Sequence, residues 1–495
     1  MKSEKNIFWG DLHSHCDISY GDGKLVNAIS RASDQLDFCT VTGHAFWPDI
    51  KNISHLKKIK NYHLTGFKKL HSKWSKILIQ LKKLEKFYNI KIFPSYEWHS
   101  LTYGDHNVIS KDFNLKLISS DNITDLKKKI SYNSFIIPHH IGYGKNKRGI
   151  NWDHFTENLS PFVEIFSMHG LSLDETNSYK MLHDMGTIVS NGTAEYGWSK
   201  GFKFGVIGST DHHAGYPGTY GSGLIAVIAK NKNKNNLWSA FKNRNVYAVS
   251  GDKISLSFEI NNQLMGSEIK QKKINKISIF AKSLNKISHG ILFKDDLPYK
   301  YFLPKNKKIN TFGSLNFEWG WGSKNKVSKW NIQIKFIKTK ILEYETCFRG
   351  IPKLSPSDLK LNKINKDKYP NKLIKKGNLV KVFSKTIGNQ TLKDDNTQSF
   401  KVRLNFNKNS KIELVINKLK FNYYINEIVM DGSKTIFINK WLSQLFKIGP
   451  FSYDHHNYIE YNNEFKYTKK NKRFRVEIVQ KNNHRAWSSP IWIKK

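Results

Sequence analysis

The chain has 495 residues, with 81 Lys or Arg against 40 Asp or Glu and a formal net charge of +41 at pH 7. A hydrophobic share of 39% with 13% aromatic residues excludes a disordered chain, and the length points to two or three domains rather than one compact core. No run approaches the roughly 18 apolar residues of a membrane helix. Cys16, Cys39 and Cys347 are too few and too scattered for a disulfide framework and read as small buried residues.

The location expected is cytoplasmic, since the first six residues lead straight into an apolar strand with no room for a signal peptide. The positive charge is spread with Asn and Ile, as in Lys230-Asn231-Lys232-Asn233-Lys234-Asn235-Asn236 and between Leu359 and Lys381. That is the pattern of an adenine/thymine-rich coding sequence, with solvated lysines on all faces. Nucleic acid or another polyanion is therefore a second-choice partner.

Alternating strands and helices are expected up to about residue 252. Ile7 to Leu12 reads as the first strand, followed by Gly10-Asp11-Leu12-His13-Ser14-His15 at its end, and Leu25 to Leu36 carries helical spacing. Phe38 to Thr42 reads as a strand ending at Gly43-His44. Phe67, Leu70, Trp74, Ile77, Leu81, Leu84 and Tyr88 define a long helix with lysines on its other face. Ile90 to Pro94 is a strand with Glu97 just beyond it. Ser134 to Pro138 leads into His139-His140, Phe162 to Phe166 leads into His169, and Phe204 to Gly208 leads into Asp211-His212-His213, with a helical stretch near Tyr179 to Met185 between the last two. In parallel α/β architectures the carboxyl ends of strands form the active-site face.

Beyond Asp252 the pattern changes to short alternating pieces separated by turn clusters. Ser255 to Ile260, Ile277 to Ala281, Gly290 to Phe293, Lys329 to Phe336, Lys411 to Ile416 and Arg473 to Val479 read as strands of a β-sandwich-like region. A short helix near Trp441 to Phe446 and a surface excursion over Leu354 to Lys381 complete the reading, and internal repeats are not evident.

His13, His15, His44, Glu97, His139 or His140, His169, Asp211 and His213 together exceed the needs of one ion. Imidazole and carboxylate without thiolate suit Zn, Mn or Fe. Two ions about 3.5 to 4 Å apart clamp the oxygens of a displacement and lower the pKa of a bridging water. Glu97 is the natural bridge, and hydrolysis by metal-bound hydroxide is the chemistry favoured. The other histidines, including His55, His63, His71, His183, His289, His455, His456 and His484, read as surface or hydrogen-bonded residues.

Gly10 to His15, Gly21-Asp22-Gly23, Val41-Thr42-Gly43-His44 and Ser209-Thr210-Asp211-His212-His213 resemble the polymerase and histidinol phosphatase (PHP) superfamily. A longer bacterial family within it is similar over Phe93 to Trp98, Ile137 to His140, Val163 to Gly170, Val246 to Ile254, Phe474 to Ile478 and Ala486 to Trp492. The resemblance implies an α/β fold with a distorted (β/α)7 barrel over residues 1–252, a β-rich domain over 253–495, and a trinuclear Mn, Fe or Zn centre for phosphoester hydrolysis.

Carried over by motif, one ion takes His13, His15, Glu97 and Asp211, a second takes Glu97, His139 and His169, and a third takes Asp22, His44 and His213. His13, Glu97 and Asp211 act in catalysis, Arg148 is the candidate for gripping a small phosphorylated anion, and His212 or a neighbouring imidazole is a candidate to protonate the leaving group. One departure stands out. The superfamily commonly has Thr-Asp-His where this chain has Thr42-Gly43-His44, which removes a residue expected to orient His44. Two other function classes remain open: a metal-dependent hydrolase of an amide or sulfate ester, and a non-catalytic polyanion binder on the same scaffold.

Overall fold

The computed structural model describes residues 6–51, 53, 57–176, 179–181, 185–304, 311–322, 327–350, 371–388, 397–438, 444–466 and 472–494. The first half opens with β1 (Ile7–Asp11), α1 (Leu25–Ser33), β2 (Phe38–Cys39), β3 (Thr42–Phe46) and α2 (Lys57–Tyr88). It continues with β4 (Lys91–Ile92), β5 (Ser95–Trp98), β6 (His106–Ser110), α3 (Ile123–Lys129), β7 (Ser134–Pro138), β8 (Phe162–Ser167) and β9 (Gly170–Leu171). It ends with α4 (Ala194–Ser199), β10 (Gly205–Gly208), β11 (Leu224–Ile228), α5 (Lys234–Lys242) and β12 (Val246–Val249).

These strands form three hydrogen-bonded groups among the described residues: β12-β11-β1-β2-β4, β3-β5-β6-β7 and β10-β8-β9. β1 is parallel to β2 and antiparallel to β11, and β3 is parallel to β5. Two expected strands are divided. Phe38 to Thr42 splits into β2 and the start of β3, and the pairing after Ile90 resumes at Ser95, so His44 and Glu97 lie within strands instead of beyond them. The stretch near Tyr179 to Met185 is not helical at 179–181 or 185, and 182–184 lie outside the described residues.

The long helix α2 turns Phe67, Leu70, Trp74, Ile77, Leu81 and Leu84 inward and its lysines outward, as an amphipathic period dictates. Its close approach to β3 requires Gly43, where an added Cβ would come 2.5 Å from Leu70 Cδ1. No helix among the described residues is long and apolar enough to cross a membrane.

The second half is strand-rich, and the mixed α/β chain as a whole is built from several sheets. Strand Val327–Ile337 alternates exposed and buried residues along its whole length, the signature of a sheet with one face on a core. It pairs with Leu379–Ile387 and Lys411–Ile416 in one five-stranded antiparallel sheet. Phe312–Gly320, Gln398–Asn405 and Leu445–Tyr453 belong to a second five-stranded sheet. Trp330, Ile332 and Ile334 of the first sheet share a core with Phe317, Phe400 and Phe446 of the second, so the two layers pack as a sandwich. Residues 441–443 of the expected short helix lie outside the described residues, and Leu445 and Phe446 are in strand. Of the expected surface excursion, 351–370 lie outside them, while Lys372–Lys376 and Leu379–Ile387 are paired strands.

The last strands return to the first half. Arg485–Ser488 pairs antiparallel with β12, matching Tyr247 to Ser488, and Lys472–Gln480 and Ile491–Lys494 extend the same eleven-stranded sheet. Lys401, on a sandwich strand, forms a buried ion pair with Asp252 just past β12, and Asp252 also accepts from Tyr220 (2.5 Å) and Asn482 (3.1 Å).

Candidate metal centre

Asp11 ends β1 fully buried and organises the floor of the centre. Its carboxylate accepts from Thr210 Oγ1 (2.6 Å), Gly218 N (2.8 Å), Thr210 N (3.1 Å) and His13 N (3.1 Å). Burial still pushes its pKa up to about 6, these hydrogen bonds opposing the rise. The segments so tied together run side by side: Asp211 N donates to His13 O (2.7 Å), His15 N donates to His212 O (2.9 Å), and Ser14 bridges His212. Asp211 sits at φ +51°, a left-handed conformation that a non-glycine residue adopts at a cost.

This arrangement brings the two imidazoles to both carboxylates. His13 Nε2 and His15 Nε2 are 3.1 Å apart. Asp211 Oδ1 lies 3.2 Å from the first and 3.1 Å from the second, and Glu97 Oε2 lies 4.0 and 3.6 Å from them. A tetrahedron of ligands at about 2.1 Å from a cation has edges of about 3.4 Å, so the two imidazoles with either carboxylate oxygen fit one divalent ion.

Hydrogen bonding on the far side of the rings supports the fit. His15 Nδ1 is 2.9 Å from Thr42 O and His213 Nδ1 is 2.8 Å from Asp211 O, and a carbonyl only accepts, so both rings carry hydrogen on Nδ1. In the neutral form of each ring, Nε2 then carries the bare lone pair. His13 Nδ1 is likewise 2.9 Å from Glu164 Oε2. Two imidazole nitrogens 3.1 Å apart, facing carboxylate oxygens, are tolerable when a cation lies between them. The donor set therefore suits divalent metal.

Glu97 splits its two oxygens. Oε2 faces His13, His15 and His44 Nε2 (3.3 Å), and it is buried without a hydrogen-bond partner. Oε1 faces His139 Nε2 (3.1 Å), His99 Nδ1 (3.1 Å) and Arg148 Nη2 (3.8 Å). His139 therefore meets Glu97, whereas His140 Nε2 lies 3.4 Å from Asp105 Oδ2. His169 is brought to Asp211 Oδ2 (3.0 Å) and groups with His140, and its Nδ1 is 2.8 Å from Tyr143 OH. His213 groups with His15 and His44. Asp22 joins that side through its backbone, its N–H donating to His213 O (2.7 Å).

Arg148 donates Nε to Asp105 Oδ2 (2.7 Å), pairs with the same carboxylate through Nη2, and lies 5.0 Å over the Trp47 ring. Thus Asp105 occupies two of its guanidinium nitrogens.

The electrostatics hold Glu97 and Asp211 anionic and His13 and His44 neutral, while His15 is raised, Asp211 and Glu97 outweighing its burial. Burial raises Glu97, but His99, His139 and His15 outweigh it and hold the carboxyl well below its ordinary range. Asp211 is held down in the same way by His13, His15 and His169. Burial lowers His13 and His44 well below the ordinary imidazole value, keeping them neutral as ligands must be. Glu164 goes the other way, raised by burial and by Asp211, Asp11 and Glu97.

Sequence reasoning missed Ser19, Tyr20, His99, Asp105, Tyr143 and Glu164. Glu164 carried a signal, a lone charge inside the apolar run Phe162 to Phe166. His99 and Asp105 had none beyond residue type. His63, set aside from the sequence, is buried on α2 with its ring 5.8 Å from that of His99.

A family model described as "Protein of unknown function (DUF3604)" matches residues 219–283. No curated protein matches the chain. Among solved structures, one from Bacteroides vulgatus ATCC 8482, described as a two-domain protein containing a predicted PHP-like metal-dependent phosphoesterase, is 12% identical. That alignment covers 85% of this chain and 96% of the other at a TM-score of 0.36. Another, described by the words "AvmM Catalyzes Macrocyclization in Alchivemycin A Biosynthesis", is 9% identical over 44% of this chain and 92% of the other, at a TM-score of 0.06. At these levels no residue role passes from either structure to this chain.

Proposed function

We propose that the chain is a metal-dependent hydrolase of phosphoric esters, with a PHP-type (β/α)7 barrel over residues 1–252 and a β-rich domain over 253–495. The observation that supports this reading is that His13 Nε2 and His15 Nε2, 3.1 Å apart, each lie 3.1 to 4.0 Å from Asp211 Oδ1 and Glu97 Oε2. In this reading those residues hold one divalent ion, Glu97, His139 and His169 serve a second, and Asp22, His44 and His213 serve a third, from Mn, Fe or Zn.

Ions bound there would lower the pKa of a water between them and draw charge from the ester oxygens. The chain's own groups do the rest. Glu97, ionised and splitting its oxygens, ties the two sides of the centre together. Glu164 and the Thr42 carbonyl hold the His13 and His15 rings at Nδ1, keeping Nε2 inward. Arg148, with its guanidinium 3.8 Å from Glu97, supplies the fixed positive charge that a small phosphorylated anion would meet. His212, 7% exposed beside the centre, is the proton donor assigned to the leaving group. A cytoplasmic location belongs to the same proposal.

The test is elemental analysis of the purified protein, followed by a screen of metal-loaded protein against phosphate monoesters and diesters. Amide and sulfate ester substrates run alongside. Metal-dependent turnover of phosphate esters is expected. Turnover confined to the other esters would reassign the bond cleaved. Steeply salt-dependent polyanion binding that survives metal removal, without turnover, would replace the hydrolase by a binding protein.

A further inference from the structure

Asp105, outside the proposed ligand set, is buried as deeply as Glu97. Asp105 is 1% exposed and follows Gly104, whose φ of +84° and approach to the Gly149 carbonyl, 2.7 Å from an added Cβ, admit only glycine. Asp105 Oδ1 accepts from Ser100 N (3.0 Å). Its Oδ2 gathers Arg148 Nε (2.7 Å), Arg148 Nη2, His99 Nδ1 (3.0 Å) and His140 Nε2 (3.4 Å). Two of the groups it gathers also border Glu97, since His99 Nδ1 stands 3.1 Å and Arg148 Nη2 3.8 Å from Oε1. The Arg148 backbone is itself held in the left-handed region at φ +68°, so the side chain enters the centre from a fixed direction.

Building on the proposed metal centre, we propose that Asp105 is a positioning residue that holds the Arg148 guanidinium off Glu97. A buried guanidinium must be paired. With Asp105 neutralised, the carboxylate left within reach of Arg148 is Glu97, already 3.8 Å away. A guanidinium fork on Glu97 would occupy the oxygens that the metal needs. Asp105 thus reserves Glu97 for cations while leaving a positive charge at the edge of the site. The Asp105 carboxylate also holds His99, whose Nδ1 borders Glu97 Oε1, while Oε2 faces His13, His15 and His44.

The test is calorimetric titration of the metal-stripped, full-length protein with Mn²⁺ or Zn²⁺. Asp105→Asn is expected to weaken metal affinity about 10- to 100-fold, the range for groups that orient a ligand. Adding Arg148→Met to that variant is expected to recover most of the loss, because the competitor for Glu97 is gone. A purely structural role for Asp105 would show no such recovery. If Asp105→Asn does not fold, Arg148→Met alone serves, and it is expected to bind metal at least as tightly as wild type. Wild-type affinity in folded Asp105→Asn, a deeper loss in the double variant, or a tenfold loss in Arg148→Met each overturns the inference alone. Failure of the wild type to bind either metal overturns the proposed centre and this inference with it.

Discussion

His44 and Glu97 are register partners on the parallel strands β3 and β5, with His44 Nε2 standing 3.3 Å from Glu97 Oε2. In a parallel pair such residues project to the same face, so strand register alone delivers an imidazole to that carboxylate. His44 is further held by Ser19 Oγ, 2.9 Å from Nδ1, and by rings on both sides: Tyr20 at 3.6 Å and His15 at 3.9 Å between centroids. Ser19 thus orients His44, and Gly43 beside it leaves room for Leu70, which an added Cβ would meet at 2.5 Å.

Ser19→Ala should therefore loosen His44 without unfolding the chain. The expected result is about a tenfold weaker affinity for the metal on the His44 side, read as one fewer equivalent of metal after dialysis. Unchanged metal content would show that the two stacking rings suffice.

His13→Ala and Asp211→Ala each remove a corner of the tightest donor set. Metal-dependent hydrolysis should be abolished in both while the circular dichroism spectrum is retained. Full activity in either variant would remove the site from consideration.

The second half meets the His212 ring at Gly350, where an added Cβ would lie 2.6 Å from His212 Cε1 and 2.8 Å from Tyr216 Cβ. Gly350→Val should push the His212 ring from its place. We expect kcat/KM to fall about tenfold or more with bound metal unchanged, as displacement of the proposed proton donor implies. Unaltered kinetics would place His212 outside the reaction.

Acid should destabilise the fold through histidines buried as neutral rings. Burial pushes His63 and His106 down to about 3 from an ordinary 6.5. Between those values the unfolded chain binds protons that the folded chain refuses, so this contribution is complete above pH 6.5 and falls as pH drops toward 3. At about 1.4 kcal/mol per pH unit, the ceiling is ~5 kcal/mol for each ring. Urea midpoints measured from pH 7.5 down to 4.5 should decline, and His106→Gln should make the decline shallower. A slope unaffected by that change would assign the acid sensitivity elsewhere.

Residue type and local period were enough to single out His13, His15, Glu97, His139 or His140 and Asp211 as candidates, and to outline α2 and the strand Lys411–Ile416. A His-x-His after an apolar run and a 3.6-residue stripe are properties of a few neighbouring residues. The pairing of His44 with Glu97, the split of Glu97 between two sets of nitrogens, and the hold of Asp105 on Arg148 join segments tens of residues apart. Their geometry depends on register and on which oxygen faces which ring, and neither leaves a local period. The same reason hid the return of Arg485–Ser488 to β12. A strand's alternation tells which face is buried, while its hydrogen-bonding edge carries no record of the partner that it meets.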